Sequence, residues 1–136
     1  MAFGGISYFA VFVAAVAGFI VGAVWYGVLS KPWMKAARIE AGSANMSPVT
    51  FLVTFIAEIF MAWVLAGLIG HLGVDQVTIR NGLISGLFVW FGFVATTLVV
   101  NHRYGGFGWD LTLIDAGHWL AVLLVMGAVI GAFGAM

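Results

Sequence analysis

The sequence predicts an all-α polytopic membrane protein, a bundle of four transmembrane helices at about residues 8–29, 49–71, 82–100 and 111–133 that makes residues 1–136 a single domain. Three observations lead there. Only 7% of the residues are charged, against roughly 25% in an ordinary soluble domain, so a soluble fold of this length lacks the residues to cover its surface. The hydrophobic content is 64% and the mean hydropathy +1.17, with 19 glycines of the kind that let helix backbones approach closely in lipid. The apolar residues also fall into four runs long enough to cross about 30 Å of hydrocarbon, which takes about 20 residues.

The first run extends from Tyr8 to Leu29 and stops at Ser30-Lys31-Pro32, where a charge and a proline end burial and helix together. The second, from Val49 to His71, follows a polar stretch whose Ser47-Pro48 reads as a helix start with proline in the first turn. The third closes on Asn101-His102-Arg103, and the fourth follows the turn-rich Tyr104-Gly105-Gly106-Phe107-Gly108. The first run is not read as a secretory signal: no Lys or Arg precedes Lys31, and the run is longer than the apolar region of such a signal.

The basic residues give an orientation. Lys31, Lys35 and Arg38 lie between the first two helices and Arg103 between the last two, while Arg80 stands alone between the second and third. The positive-inside bias places both hairpin loops in the cytoplasm and both termini on the opposite side.

Polar residues inside the spans are the informative ones. Glu58 lies roughly nine residues, about 14 Å, from the cytoplasmic helix end, near the midplane. Asp115 and His118 lie roughly 6 and 10 Å in, with Tyr26 and Thr97 at comparable shallow depth. Each belongs to a one-face row: Thr50, Thr54 and Glu58 at four-residue steps, Thr97 and Asn101 four apart, Asp115 and His118 three apart. Gly18, Gly22, Tyr26 and Ser30 form a small-residue row on the first helix. All four helices are therefore expected to contribute to a polar layer in the cytoplasmic half. An ionised carboxylate at the bilayer centre costs at least about 2.5 kcal/mol, so Glu58 is expected to face the bundle. The layer reads equally as a hydrogen-bonded clasp between helices and as a proton- or ligand-linked site.

No cofactor or metal is expected. The absence of cysteine excludes thiolate metal sites, iron–sulfur clusters and Cys nucleophiles. Asp115 and His118 supply half of a tetrahedral shell, and the commoner arrangement is a carboxylate that fixes the imidazole tautomer. His71 and His102 sit at opposite faces, so bis-His haem ligation is not supported. Trp33 and Trp109 fit an interfacial belt, whereas Trp25, Trp63, Trp90 and Trp119 are deeper and suit either packing or an apolar ligand pocket. Three Gly-x-x-x-Gly spacings, beginning at Gly18, Gly82 and Gly127, allow close crossings within the bundle or between copies.

Gly22-Ala23-Val24-Trp25-Tyr26 followed by Pro32-Trp33-Met34-Lys35, and Ile114-Asp115-Ala116-Gly117-His118-Trp119-Leu120 with Met126-Gly127, resemble a named family. Over nearly its whole length the chain is similar to the bacterial and fungal membrane proteins called domain of unknown function 1761. The resemblance implies a four-helix membrane protein, supplies no reaction, and directs attention to Trp25, Tyr26, Asp115 and Gly117.

The candidate ligand- or proton-binding residues are thus Glu58, Asp115, His118, Tyr26, Trp25, Thr54, Thr97 and Asn101. They suggest a small-solute or proton-linked transport or binding protein that acts as an oligomer. The alternative is an accessory or structural subunit of a larger membrane complex, which short loops and glycine-rich faces also suit. No nucleophile stands beside a base, so no catalytic residue is assigned. Partners are expected to be the lipid bilayer, copies of the chain or other membrane subunits, and a small molecule. Zero net charge and five scattered basic residues leave no footprint for nucleic acid.

Overall fold

A computed structural model describes residues 2–136. The chain is all-α apart from a short N-terminal hairpin, and four of its helices are long and apolar enough to cross a membrane: Tyr8–Val28, Pro48–His71, Ile79–Tyr104 and Trp109–Phe133. These match the four predicted spans. The third is longer at both ends than its predicted 82–100, because Thr78 caps it by accepting from the Asn81 amide and the polar residues Asn101–Tyr104 continue the last turns.

The local signals explain the ends. Helix α1 (Tyr8–Val28) starts at Ser7, whose hydroxyl accepts from the Ala10 amide, and breaks at Leu29. Pro32 does not end helical structure altogether. It lies in the first turn of a short helix α2 (Ser30–Ala36), where its missing N–H is no loss. Helix α3 (Pro48–His71) is capped by Ser47 and has proline in its first turn, as its sequence dictates. The third span comprises α4 (Ile79–Val89), a π-helical segment Trp90–Ala95, and α5 (Thr96–Tyr104). Helix α6 is Trp109–Phe133.

Helix α6 lies at the centre of the packing, with α1 on one side and the third span on another; α3 packs on α1 and touches α6 and α4. The core between them includes Ala14, Leu65, Val122, Met126 and Ile130. Glycine sets how close the helices come. Gly82 of α4 and Gly127 of α6 face each other so tightly that a Cβ on either would overlap the other's carbonyl, and a Cβ at Gly86 would lie 2.6 Å from the Leu123 oxygen. The Gly82 and Gly127 spacings therefore serve contacts inside this bundle.

At one end, strands β1 (Ala2–Phe3) and β2 (Ile6–Ser7) form a hairpin through Gly4-Gly5, both at positive φ as a two-residue turn requires. Its turn rests against Gly67 and Gly70 of α3, Phe3 stacks on Trp63, and the Gly5 carbonyl accepts from the Met136 amide. Hydrocarbon closes that end. The other end, with the α1–α3 and α5–α6 connections, carries Lys31, Lys35, Arg38 and Arg103; Arg38 ties the two connections together by donating to the Gly106 carbonyl.

The close α4–α6 crossing yields a prediction. Gly82→Val or Gly127→Val should lower stability in detergent by about 1–3 kcal/mol or more, through overpacking against backbone. Gly27→Ala, with nothing within 4 Å of its added methyl, should be neutral or stabilising by up to about 1 kcal/mol. Denaturant unfolding followed by tryptophan fluorescence compares them, and equal tolerance of all three would contradict this packing.

Candidate functional site

The basic half of the bundle contains a cavity of about 690 Å³ between α1, α3 and α6, with α2 at its rim. Each helix supplies one face. From α1 come Gly22 and Tyr26, from α3 Thr50, Thr54 and Glu58, and from α6 Asp115, His118 and Trp119. The four-residue steps on α1 and α3 and the three-residue step on α6 bring these positions to the inward faces, as helical periodicity dictates.

Glycine on α1 makes the room. A methyl at Gly18 would lie 2.9 Å from Glu58 Oε1, and one at Gly22 would lie 2.9 Å from His118 Nε2. The carboxyl and the imidazole thus lie directly against the α1 backbone. Glu58 is 1% exposed and His118 5%. Glu58 Oε1 and His118 Nδ1 are buried and have no hydrogen-bond partner among the described residues. The nearby hydroxyls do not serve them: Thr54 donates to the Thr50 carbonyl at 2.8 Å, and the Thr50 hydroxyl pairs with Ser47 at 3.0 Å.

Asp115, by contrast, is well partnered. Tyr26 donates its phenolic O–H to Asp115 Oδ1 at 2.6 Å, and His102 Nε2 lies 3.5 Å from Oδ2. His102 Nδ1 is 2.8 Å from the Thr112 hydroxyl, which also accepts from Arg103 at 2.7 Å. A carboxylate only accepts, so the tautomer of His102 that donates to Asp115 is the one protonated at Nε2, and in it Nδ1 accepts from the Thr112 hydroxyl. The Arg103 guanidinium stacks over Trp109 at 3.7 Å and donates to the Phe107 and Gly108 carbonyls. A polar chain therefore runs from Tyr26 on the cavity wall through Asp115, His102 and Thr112 to Arg103 at the basic end.

Several sequence-based expectations are corrected. Asp115 does not orient His118; Tyr26 and His102 take its oxygens, and His118 stands apart between the Tyr26 and Trp119 rings, at 4.7 and 4.4 Å between centroids. Thr97 and Asn101 are exposed on the outer surface and line no part of the cavity, because the third span presents another face inward; the Thr97 hydroxyl is held by the Phe93 carbonyl beside the π-helical segment. The polar layer thus draws on α1, α3 and α6, and the third span joins it through His102 and Arg103 at its end. Trp25 is not in the cavity either. Its indole N–H donates to the Ile114 carbonyl at 3.1 Å and its ring covers Gly117, while Trp90 donates to the Ala116 carbonyl at 2.7 Å, so two indoles fasten neighbouring spans to α6. Of the four deep tryptophans only Trp119 lines the cavity, joined by Trp33 from α2.

His102 was not among the expected site residues. Its position at the end of a span suggested an interfacial group, and the available signal was its depth, close to that of Asp115 one loop later. Among the described residues no three His, Asp or Glu side chains are grouped to hold a metal ion.

The Tyr26–Asp115 bond can be measured. A double-mutant cycle of Tyr26→Phe and Asp115→Ala should give a coupling energy of about 0.5–3 kcal/mol in detergent unfolding, while Thr97→Val with Asp115→Ala should be additive within about 0.5 kcal/mol. Coupling to Thr97 and none to Tyr26 would contradict the geometry.

No match is found among curated proteins or among solved structures. A family model does match, over residues 9–131, which takes in the second and third long helices whole, all but the outermost residues of the first and fourth, and every cavity residue from Phe19 to Trp119. With both motifs inside that match, the chain belongs to the family described as Protein of unknown function (DUF1761).

Proposed function

We propose that this chain is a multi-pass protein of the bacterial inner membrane that binds a small solute in the cavity and passes it in linkage with a proton at Glu58, working as an oligomer. The observation that carries this reading is Glu58 itself: a carboxyl 1% exposed, beside a cavity, with an oxygen that no group among the described residues satisfies. A buried polar group without a partner is costly, so the charge of Glu58 and the occupancy of the cavity are thermodynamically linked. The other titratable groups lining the cavity are Tyr26 from α1 and Asp115 and His118 from α6.

The four basic residues at the cavity end favour a cytoplasmic placement of that end, with both termini outside. Asp115 and His102 then supply hydrogen-bonding groups between the cavity wall and the cytoplasm. Ala23 and Phe51 line the cavity and are themselves exposed, so it opens sideways between α1 and α3, where a solute dissolved in the membrane reaches it. Four helices do not close around such a cavity, which favours working in pairs or larger groups.

One observation favours a second reading, a subunit of a larger membrane complex. The third span buries little of itself, leaving Phe88, Phe91 and Phe93 66–74% exposed. Gentle solubilisation decides between them. Migration as a homo-oligomer with no other chain attached counts against the subunit reading.

The proton-linked reading is tested with dicyclohexylcarbodiimide, an apolar reagent that modifies protonated carboxyls. In liposomes it should form an adduct at Glu58, more at acid than at alkaline pH because only the protonated acid reacts, and none in Glu58→Gln. Denatured chain, with every carboxyl accessible, verifies the reagent. Failure to label Glu58 in the folded protein at any pH, or labelling indifferent to pH, would overturn the reading.

A further inference from the structure

The cavity joins two chemistries. Its carboxyls are Glu58 and Asp115, and its rings include Phe19, Tyr26, Trp33 and Trp119. No Lys or Arg lines it. Lys31 and Lys35 are exposed on α2, Arg38 is engaged by the Gly106 carbonyl, Arg103 is stacked on Trp109, and Arg80 lies at the opposite end of the bundle.

Each class of occupant meets this lining differently. An anion would bring negative charge to two carboxyls with no Lys or Arg, and only the His118 imidazole, beside them. A neutral apolar molecule would cover the rings and offer no donor to the Glu58 carboxyl. A cation with an apolar body suits both: its N–H groups offer charge-assisted bonds to the Glu58 carboxyl that lines the cavity, and its body rests on aromatic faces whose quadrupoles attract positive charge. The cavity of about 690 Å³ falls within the range of about 300–1,000 Å³ that holds drug-sized molecules.

We propose that the cavity takes an organic cation of the arylalkylamine class, the ammonium donating to Glu58 and the ring packed among Phe19, Trp33 and Trp119. This rests on the reading of the cavity as a solute site and names its substrate class. The lateral opening at Ala23 and Phe51 suits a molecule of this kind, which partitions to the edge of the hydrocarbon with its charge toward water.

Three probes of one shape separate the classes: 2-phenylethylammonium, the uncharged propylbenzene and the anionic 3-phenylpropanoate. Each is measured by equilibrium dialysis against wild-type protein in nanodiscs of zwitterionic lipid, with empty nanodiscs subtracted. The ammonium should bind saturably and about tenfold or more tighter than either companion, the margin of one charge-assisted hydrogen bond. Glu58→Gln should lose a similar factor, and Ile56→Ala, on the outer face of the same helix, should lose none. The comparison of probes uses wild-type protein, so it stands even if Glu58→Gln fails to fold. Equal or tighter binding of propylbenzene or 3-phenylpropanoate overturns the cation assignment and leaves a solute site of another class. If no probe binds saturably while carbodiimide still labels Glu58, the cation assignment fails and the proton-linked carboxyl stands; if the label is absent too, both fall.

Discussion

Glu58 and His118 occupy space that two α1 side chains would otherwise fill. A methyl at Gly18 or at Gly22 would come within 2.9 Å of the carboxyl oxygen or the imidazole nitrogen respectively. Glycine at these two positions lets two polar side chains reach the α1 backbone, so they sit inside the bundle and not on its apolar surface. The cavity, its shape and its polarity all follow from that allowance. The same device works in the other half of the bundle with the opposite result. There Gly82 and Gly127 face one another, nothing polar intervenes, and the helices close on hydrocarbon. Glycine opposite a large polar residue leaves a site, and glycine opposite glycine leaves a crossing.

The indoles and the polar chain hold this arrangement in place. Trp25 and Trp90 approach α6 from two sides and donate to carbonyls two residues apart, Ile114 and Ala116, next to Asp115. Asp115 is thereby fixed between Tyr26 and His102, its two oxygens tied to groups that lead to the basic end. The two acids of the cavity are consequently unlike. Asp115 is bound into a network and behaves as structure. Glu58 Oε1 has no partner among the described residues, so Glu58 is the group left to respond to a proton or a solute.

Much of this was legible in the sequence for simple reasons. Run length fixed the four spans, and four-residue spacing placed Thr50, Thr54 and Glu58 on one face of α3. The cost of an isolated carboxylate in hydrocarbon was sufficient to turn Glu58 inward. What failed was on the third span. That helix is apolar on every side, so its hydroxyls did not mark an inward face. Within it the π-helical segment Trp90–Ala95 takes in an extra residue per turn, which rotates everything after it by about 100° relative to a regular helix. Thr97 and Asn101 consequently face outward, while His102 turns to Asp115. Spacing places residues on a face; it does not say which of several polar neighbours pairs first, so it could not choose Tyr26 over His118 as the partner of Asp115.

The face of α3 bearing Thr54 and Glu58 borders a cavity in which hydroxyl, carboxyl and imidazole groups stand among aromatic rings, while the adjacent face borders hydrocarbon. The chain has no cysteine, so a single introduced thiol is the only one present. The most direct measurement compares Thr54→Cys, on the cavity wall, with Val53→Cys, one residue away and 61% exposed on the outer face, for reaction with a water-soluble methanethiosulfonate in liposomes. Only a hydrated thiol ionises to the reactive thiolate. Rapid modification at position 54 with little at 53 is expected, and equal inertness at the two positions, or faster reaction at 53, would contradict the account.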